Sequence, residues 1–219
     1  MLTRISILQA NCRQCRESRG GVTLGAIMNG HNAIVSRWWP PLLVAGVCIA
    51  AQALGWTGAL RFERGLIAAE PWRLLGAHFV HLGWIHLALN LGGLALMWAL
   101  FGRSLRPAAW VGALLLCALA VGGGLYLRDT TLAWYVGLSG VLHGLLVVGA
   151  VAALRTELRS ALLLLLAVGA KLAWEQFTGA DTGTAQLVGG DVVVNAHLYG
   201  ALGGLAAAAL LRFPPAPPK

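Results

Sequence analysis

Charge is absent from this sequence in long blocks, and that spacing restricts the fold more than any other feature. No Asp, Glu, Lys or Arg occurs in Trp38 to Leu60, Leu74 to Gly102, Pro107 to Leu127, Thr130 to Leu154 or Val192 to Leu211. A bilayer core about 30 Å thick needs about 20 apolar residues in a helix, and each block is long enough. A sixth stretch, Ser160 to Phe177, is interrupted by Lys171 and Glu175, yet its start, ALLLLLAVGA, marks a helix in lipid. The fold class expected is therefore an all-α membrane protein, a bundle of six transmembrane helices. Composition agrees, because only 11% of the 219 residues are charged. A soluble domain carries about 25%, so most of this surface must face lipid. The 29 glycines fit as well, since small residues let membrane helices approach closely.

The formal charge of +8 does not point to nucleic acid. The basic residues form no patch with interleaved aromatics. They punctuate the apolar runs, as topology signals do. Of the four cysteines, Cys48 and Cys117 sit inside apolar runs and are expected to pack as small hydrophobes. Cys12 and Cys15 form one isolated CxxC, without the second pair that a four-ligand zinc site needs. Residues 1–36 read as a basic cytoplasmic leader, with Met28 an alternative start. Residues 37–212 read as the membrane domain and 213–219 as a Pro-rich cytoplasmic tail. The first long apolar run begins only near Trp38, so no cleavable signal peptide is expected.

Orientation follows from the arginines. With the N-terminus in the cytoplasm, the inner segments hold Arg4, Arg13, Arg16, Arg19, Arg37, Arg103, Arg106, Arg155, Arg159, Arg212 and Lys219. The outer segments hold Arg61, Arg64, Arg73 and Arg128, with Glu63, Glu70, Asp129, Asp181 and Asp191. The positive-inside bias selects N-in, C-in. Spans two, four and six then enter from the outer face. Ser139 falls on the order of 8 Å below the surface at 1.5 Å per residue, and His197 is similarly shallow. His86 and Asn90 lie in the outer half of span two, and Lys171 and Glu175 in the outer third of span five. Polar groups in lipid are costly and line a protein interior or a water cavity, so a shared depth marks a candidate site.

Within it, Gly137-Leu138-Ser139-Gly140 sets a serine between glycines at a helix start. Glycine admits a substrate backbone, and unpaired N–H groups near a helix N-terminus can hold an oxyanion. The same residues also make a small-residue packing face. Gly200 and Gly204 form a second such stripe on span six; packed against span four, it brings His197 beside Ser139. An imidazole there can activate a serine, or it can simply bond between helices. His86 and Asn90, at i and i+4, can donate toward a developing negative charge or bond to neighbouring helices. His78, His81 and His86 are three possible metal ligands, but spacings of three and five share no clean helix face and HExxH is absent. No metal and no cofactor are expected. His143, at i+4 from Ser139, either bonds it or a substrate, or holds span two. Lys171 and Glu175, also i and i+4, read as a buried ion pair or, for Glu175, a contact to a basic or amine end of a substrate.

Taken together, Gly137-x-Ser139-Gly140, His86-x-x-x-Asn90 and Ala196-His197-x-x-Gly200-x-x-x-Gly204 resemble the signature of the rhomboid family, in the same order and on the same helices. Trp72-Arg73 is similar to the Trp-Arg motif of the rhomboid first loop, and the resemblance covers about Pro40 to Leu211. It implies an intramembrane serine protease in a bacterial inner membrane with its site open to the periplasm. It also implies a Ser139–His197 dyad with no third acid, and an oxyanion held by Ser139 N–H, His86 and Asn90 beside Gly137. His81 is similar in placement to a second rhomboid histidine under the first loop. The run GLSGVLHGL with His143, Trp174-Glu175 and AHLYGAL resemble the rhombosortase subgroup. That implies substrates that are secreted proteins anchored by a GlyGly-CTERM tail: Gly-Gly, an apolar helix and a basic end. The alternatives are a general rhomboid protease with other membrane-helix substrates, a non-catalytic rhomboid-like helix binder, and a small transporter or metal-handling protein. The helix binder would lose Ser139 or His197; the transporter or metal handler would need ligands through the apolar inner halves of the spans.

Overall fold

A computed structural model of the chain describes residues 24–179 and 182–211, which are mostly helical. The leader through residue 23 with its CxxC, Asp181, and the tail from Arg212 lie outside the described residues. The chain divides into two compact units. The first ends at Trp38, and its described part is the start of helix α1 (Leu24–Ala53). The second begins at Trp39 and holds the rest of α1 and every later element.

After α1 comes a connecting segment of short elements: α2 (Thr57–Leu60), β1 (Phe62–Glu63), a 3-10 turn (Arg64–Leu66), α3 (Arg73–Gly76) and a second 3-10 turn (Ala77–Phe79). Then follow α4 (Trp84–Phe101), α5 (Pro107–Arg128), β2 (Trp134–Tyr135), α6 (Ser139–Ala153), α7 (Leu158–Thr178), α8 (Thr182–Val188) and α9 (Val194–Leu210). Among the described residues α4, α5 and α7 are long and apolar enough to cross a membrane, and α6 and α9 are shorter apolar helices. Exposed Leu162, Leu163, Leu166, Trp174 and Phe177 make the outside of α7 apolar, a surface suited to lipid rather than water.

Three of the charge-free blocks are interrupted or helical only in part. Trp38 to Leu60 breaks at Leu54 to Trp56, between α1 and α2. Leu74 to Gly102 breaks at Val80 to Gly83, so His78 and His81 precede the helix that carries His86. Thr130 to Leu154 becomes helical only at Ser139; the residues before it form β2, which pairs antiparallel with β1, Phe62 opposite Tyr135 and Glu63 opposite Trp134. Hydropathy does not distinguish these conformations, because an apolar strand or loop buried in protein reads like an apolar helix.

Arginine organises the connecting segment. The last carbonyls of a helix have no intrahelical donor. Arg64 supplies one at the end of α5, donating to the carbonyls of Leu125 (2.6 Å), Tyr126 (2.9 Å) and Asp129 (2.7 Å). It also donates to Leu132 at 2.9 Å, so one guanidinium clamps the start of the β2 segment to the helix end. The buried Arg73 donates to the carbonyls of Gly58 (2.9 Å) and Arg61 (3.0 Å) and pairs with Glu70. The Trp72-Arg73 motif therefore ties the connecting segment to itself.

The core lies among α4, α5, α6 and α9, with Leu94, Trp98, Trp110, Leu138, Val141 and Val148 buried at its centre. The closest approach is α6 on α9. A Cβ at Gly140 would stand 2.6 Å from the Ala196 carbonyl oxygen, and one at Gly144 2.5 Å from that of Gly200. Cβ atoms at Gly200 and Gly204 would overlap the carbonyls of Gly140 and Gly144. The two glycine stripes thus mesh backbone to backbone. At the same end of the interface Asn195 donates to Asp129 at 2.7 Å, fixing the start of α9 to the end of α5.

Candidate active site

The site is built where α6 begins. Gly137 sits at φ +122°, a conformation glycine adopts without the steric penalty of a side chain. Its N–H donates to the Ala77 carbonyl at 2.9 Å, and its own carbonyl accepts from the Tyr135 hydroxyl at 2.7 Å. A Cβ there would lie 2.9 Å from Cε1 of His86. The chain then turns into α6 with Ser139 as its first residue, which leaves first-turn N–H groups without acceptors one turn back.

The α6–α9 interface sets His197 Nε2 3.2 Å from Ser139 Oγ. On the other side of the ring, Nδ1 lies 3.0 Å from Oε2 of Glu175 on α7. An ionised carboxylate only accepts hydrogen bonds, so this contact puts the ring proton on Nδ1. Nε2 is then an acceptor facing a hydroxyl, the arrangement in which imidazole can remove its proton.

His143 reports a similar constraint. Its Nδ1 donates to the Ser139 carbonyl at 2.8 Å, one turn back on its own helix. Its ring stacks on His197 with centroids 4.2 Å apart and planes 19° from parallel. It bonds the backbone of Ser139, neither the serine hydroxyl nor α4. Lys171 Nζ reaches Glu175 Oε1 at 2.6 Å. This pair is not buried as the sequence reading expected: the Lys171 side chain is 49% exposed and that of Glu175 14%. A long ammonium-tipped chain extends outward while its partner turns inward to His197.

Across the site, α4 presents His86 and Asn90. The Leu82 N–H donates to His86 Nδ1 at 3.4 Å, which leaves the proton on Nε2, the nitrogen next to Gly137. Asn90 donates one amide hydrogen to the His86 carbonyl at 3.0 Å, so part of its capacity is spent on its own helix and one hydrogen stays available. His81 is buried edge-on against His86 at 5.0 Å, and neither of its nitrogens has a hydrogen-bond partner. Ser139, His197, His143, His86 and Asn90 line one cavity of about 500 Å³. It runs along α4 to Met97 and is lined as well by Trp134, Thr184 and Asp191.

Two residues that sequence reasoning passed over position this site. His78, considered above only as a metal ligand, is fully buried, with Nε2 3.0 Å from the Ala118 carbonyl and Nδ1 3.4 Å from that of Gly137. It is a strut between α5 and the turn before Ser139. Tyr135 anchors the same turn from the strand side, and its place two residues before Gly137 was the available signal. The three histidines weighed as metal ligands are engaged differently: His78 with carbonyls, His81 and His86 with each other. Ligand atoms of His143, Glu175 and His197 do fall within 4.8 Å of one another. Each is already committed, to Ser139, to Lys171 and His197, and to Ser139 and Glu175 respectively.

No curated protein matches the chain. The model of the Rhomboid domain matches residues 68–213, well over half of the 219 residues. That span contains every side chain lining the cavity. The chain therefore belongs to the rhomboid family, whose members are generally intramembrane serine proteases.

Proposed function

We propose that this chain is an intramembrane serine endopeptidase in which Ser139 is the nucleophile and His197 its base. The observation that carries the reading is the 3.2 Å approach of Ser139 Oγ to a His197 Nε2 whose Nδ1 is already satisfied. Ser139 Oγ attacks a peptide carbonyl carbon as its proton passes to Nε2, and the protonated ring then returns that proton to the leaving amine. The oxyanion is held by the Ser139 N–H, His86 Nε2–H and the free amide hydrogen of Asn90. Water enters next and releases the acyl group by the same steps in reverse.

The membrane domain is proposed to cross the bilayer six times with both ends in the cytoplasm. The site then opens toward the periplasm of a bacterial inner membrane. Its substrates are proposed to be secreted proteins anchored by a GlyGly-CTERM tail, as in rhombosortases. A hydrogen-bonded helix hides its carbonyl carbons from attack, so a substrate helix must unwind to be cut. Gly-Gly eases this, since each Gly costs a helix about 1 kcal/mol relative to Ala.

The test is to co-express such a tailed protein with this chain and map the new C-terminus by mass spectrometry. Cleavage beside Gly-Gly, abolished by Ser139→Ala, is expected. Cleavage deep in the apolar helix, or equal processing after both glycines become leucine, would leave a general rhomboid protease and remove the rhombosortase reading.

A further inference from the structure

His197 is held on two sides. Family resemblance implies a dyad without a third acid, yet Glu175 Oε2 lies 3.0 Å from Nδ1, on the opposite edge of the ring from Ser139. The two contacts use different nitrogens, so Oγ, the imidazole and the carboxylate form one chain of hydrogen bonds across three helices: α6, α9 and α7. The other carboxylate oxygen is not idle, because Oε1 takes Lys171 Nζ at 2.6 Å. Its two oxygens point to different partners, so the carboxylate has little freedom to rotate away. The flat face of the ring is covered by His143, itself fixed by the Ser139 carbonyl. The groups facing His197 are thus Ser139 and His143 from α6 and Glu175 from α7, with Lys171 behind Glu175.

We infer that Glu175 is a positioning residue for the reaction, making the site a Ser139–His197–Glu175 triad braced by Lys171. This rests on the protease reading above and extends it. A neutral imidazole carries its proton on either nitrogen, and with the proton on Nε2 it would donate toward Ser139 and be useless as a base. The carboxylate selects the Nδ1–H form. When the Oγ–C bond forms and the serine proton moves to Nε2, the ring becomes a cation next to an anion already in place. No proton moves to Glu175. An i, i+4 Lys–Glu pair needs no third partner to form on a helix surface, so lattice-like helix pairing alone does not account for the inward turn of Glu175 to 14% exposure.

Full-length protein in proteoliposomes, treated with a fluorophosphonate probe, gives the test, because phosphonylation requires removal of the serine proton. Glu175→Gln keeps the shape but offers an amide N–H to Nδ1, favouring the wrong tautomer. Its maximal labelling rate should fall on the order of 10²-fold or more, with the half-saturating probe concentration within about twofold. Glu175→Asp, which restores a carboxylate, should recover to within about tenfold of the parent. Wild-type labelling by folded Glu175→Gln, with none by Ser139→Ala, would overturn the triad and leave Ser139 and His197 standing. Persistent labelling of Ser139→Ala would instead overturn the protease reading itself. If Glu175→Gln does not fold, Lys171→Met reads the same link from its exposed end. A fall of about tenfold in maximal rate supports the brace, and an unchanged rate overturns it.

Discussion

Single donors decide how an oxyanion is held, and here the donors differ in how firmly they are fixed. His86 has its tautomer set by the Leu82 N–H, whereas Asn90 is pinned by one amide hydrogen to its own helix. Removing one oxyanion donor typically costs about 10²–10³ in rate. His86→Ala and Asn90→Ala should each lower cleavage by that order while the protein still inserts and keeps its thermal midpoint; full activity in both would assign these residues to packing. Legibility at this scale was uneven. Residue type and spacing exposed Ser139, His86, Asn90 and His197, because polar groups stand out in apolar runs. The same signal does not separate His78, a buried strut, from a reacting histidine. The Lys171–Glu175 pair was legible because both residues share one helix turn. The His197–Glu175 contact was not, since it depends on how α7 lies against α9.

Elements place those residues, and the meshed glycines of α6 and α9 hold the spacing between Ser139 and His197. Overpacking a tight interface costs typically about 1–3 kcal/mol. Gly200→Val, whose Cβ would strike the Gly140 carbonyl, should lower the thermal midpoint and reduce probe labelling of Ser139. Ala206→Val, on an exposed position of the same helix, should do neither. Equal behaviour of the two variants would show that the interface tolerates separation. The i, i+4 spacing of Gly200 and Gly204 made this stripe readable. The glycines around Ser139 made the start of α6 readable as well. The strand pairing of Trp134 and Tyr135 just before it was not, because it does not alter hydropathy.

For the molecule as a whole, the proposed topology puts the Arg64 clamp and the site at one membrane face and the α4–α5 and α6–α7 turns at the other. In intact cells lacking the four native cysteines, a cysteine at exposed Thr131 should react with an impermeant maleimide. Cysteines at exposed Arg103 or Thr156 should react only after permeabilisation. The reverse pattern would invert the orientation. The central claim is that Ser139 is a nucleophile activated by His197, and the most direct measurement is to label the full-length protein with a fluorophosphonate and map the adduct by peptide mass spectrometry. The account predicts a single adduct on Ser139 that disappears in His197→Ala; an adduct elsewhere, or undiminished labelling of Ser139 without His197, would contradict it.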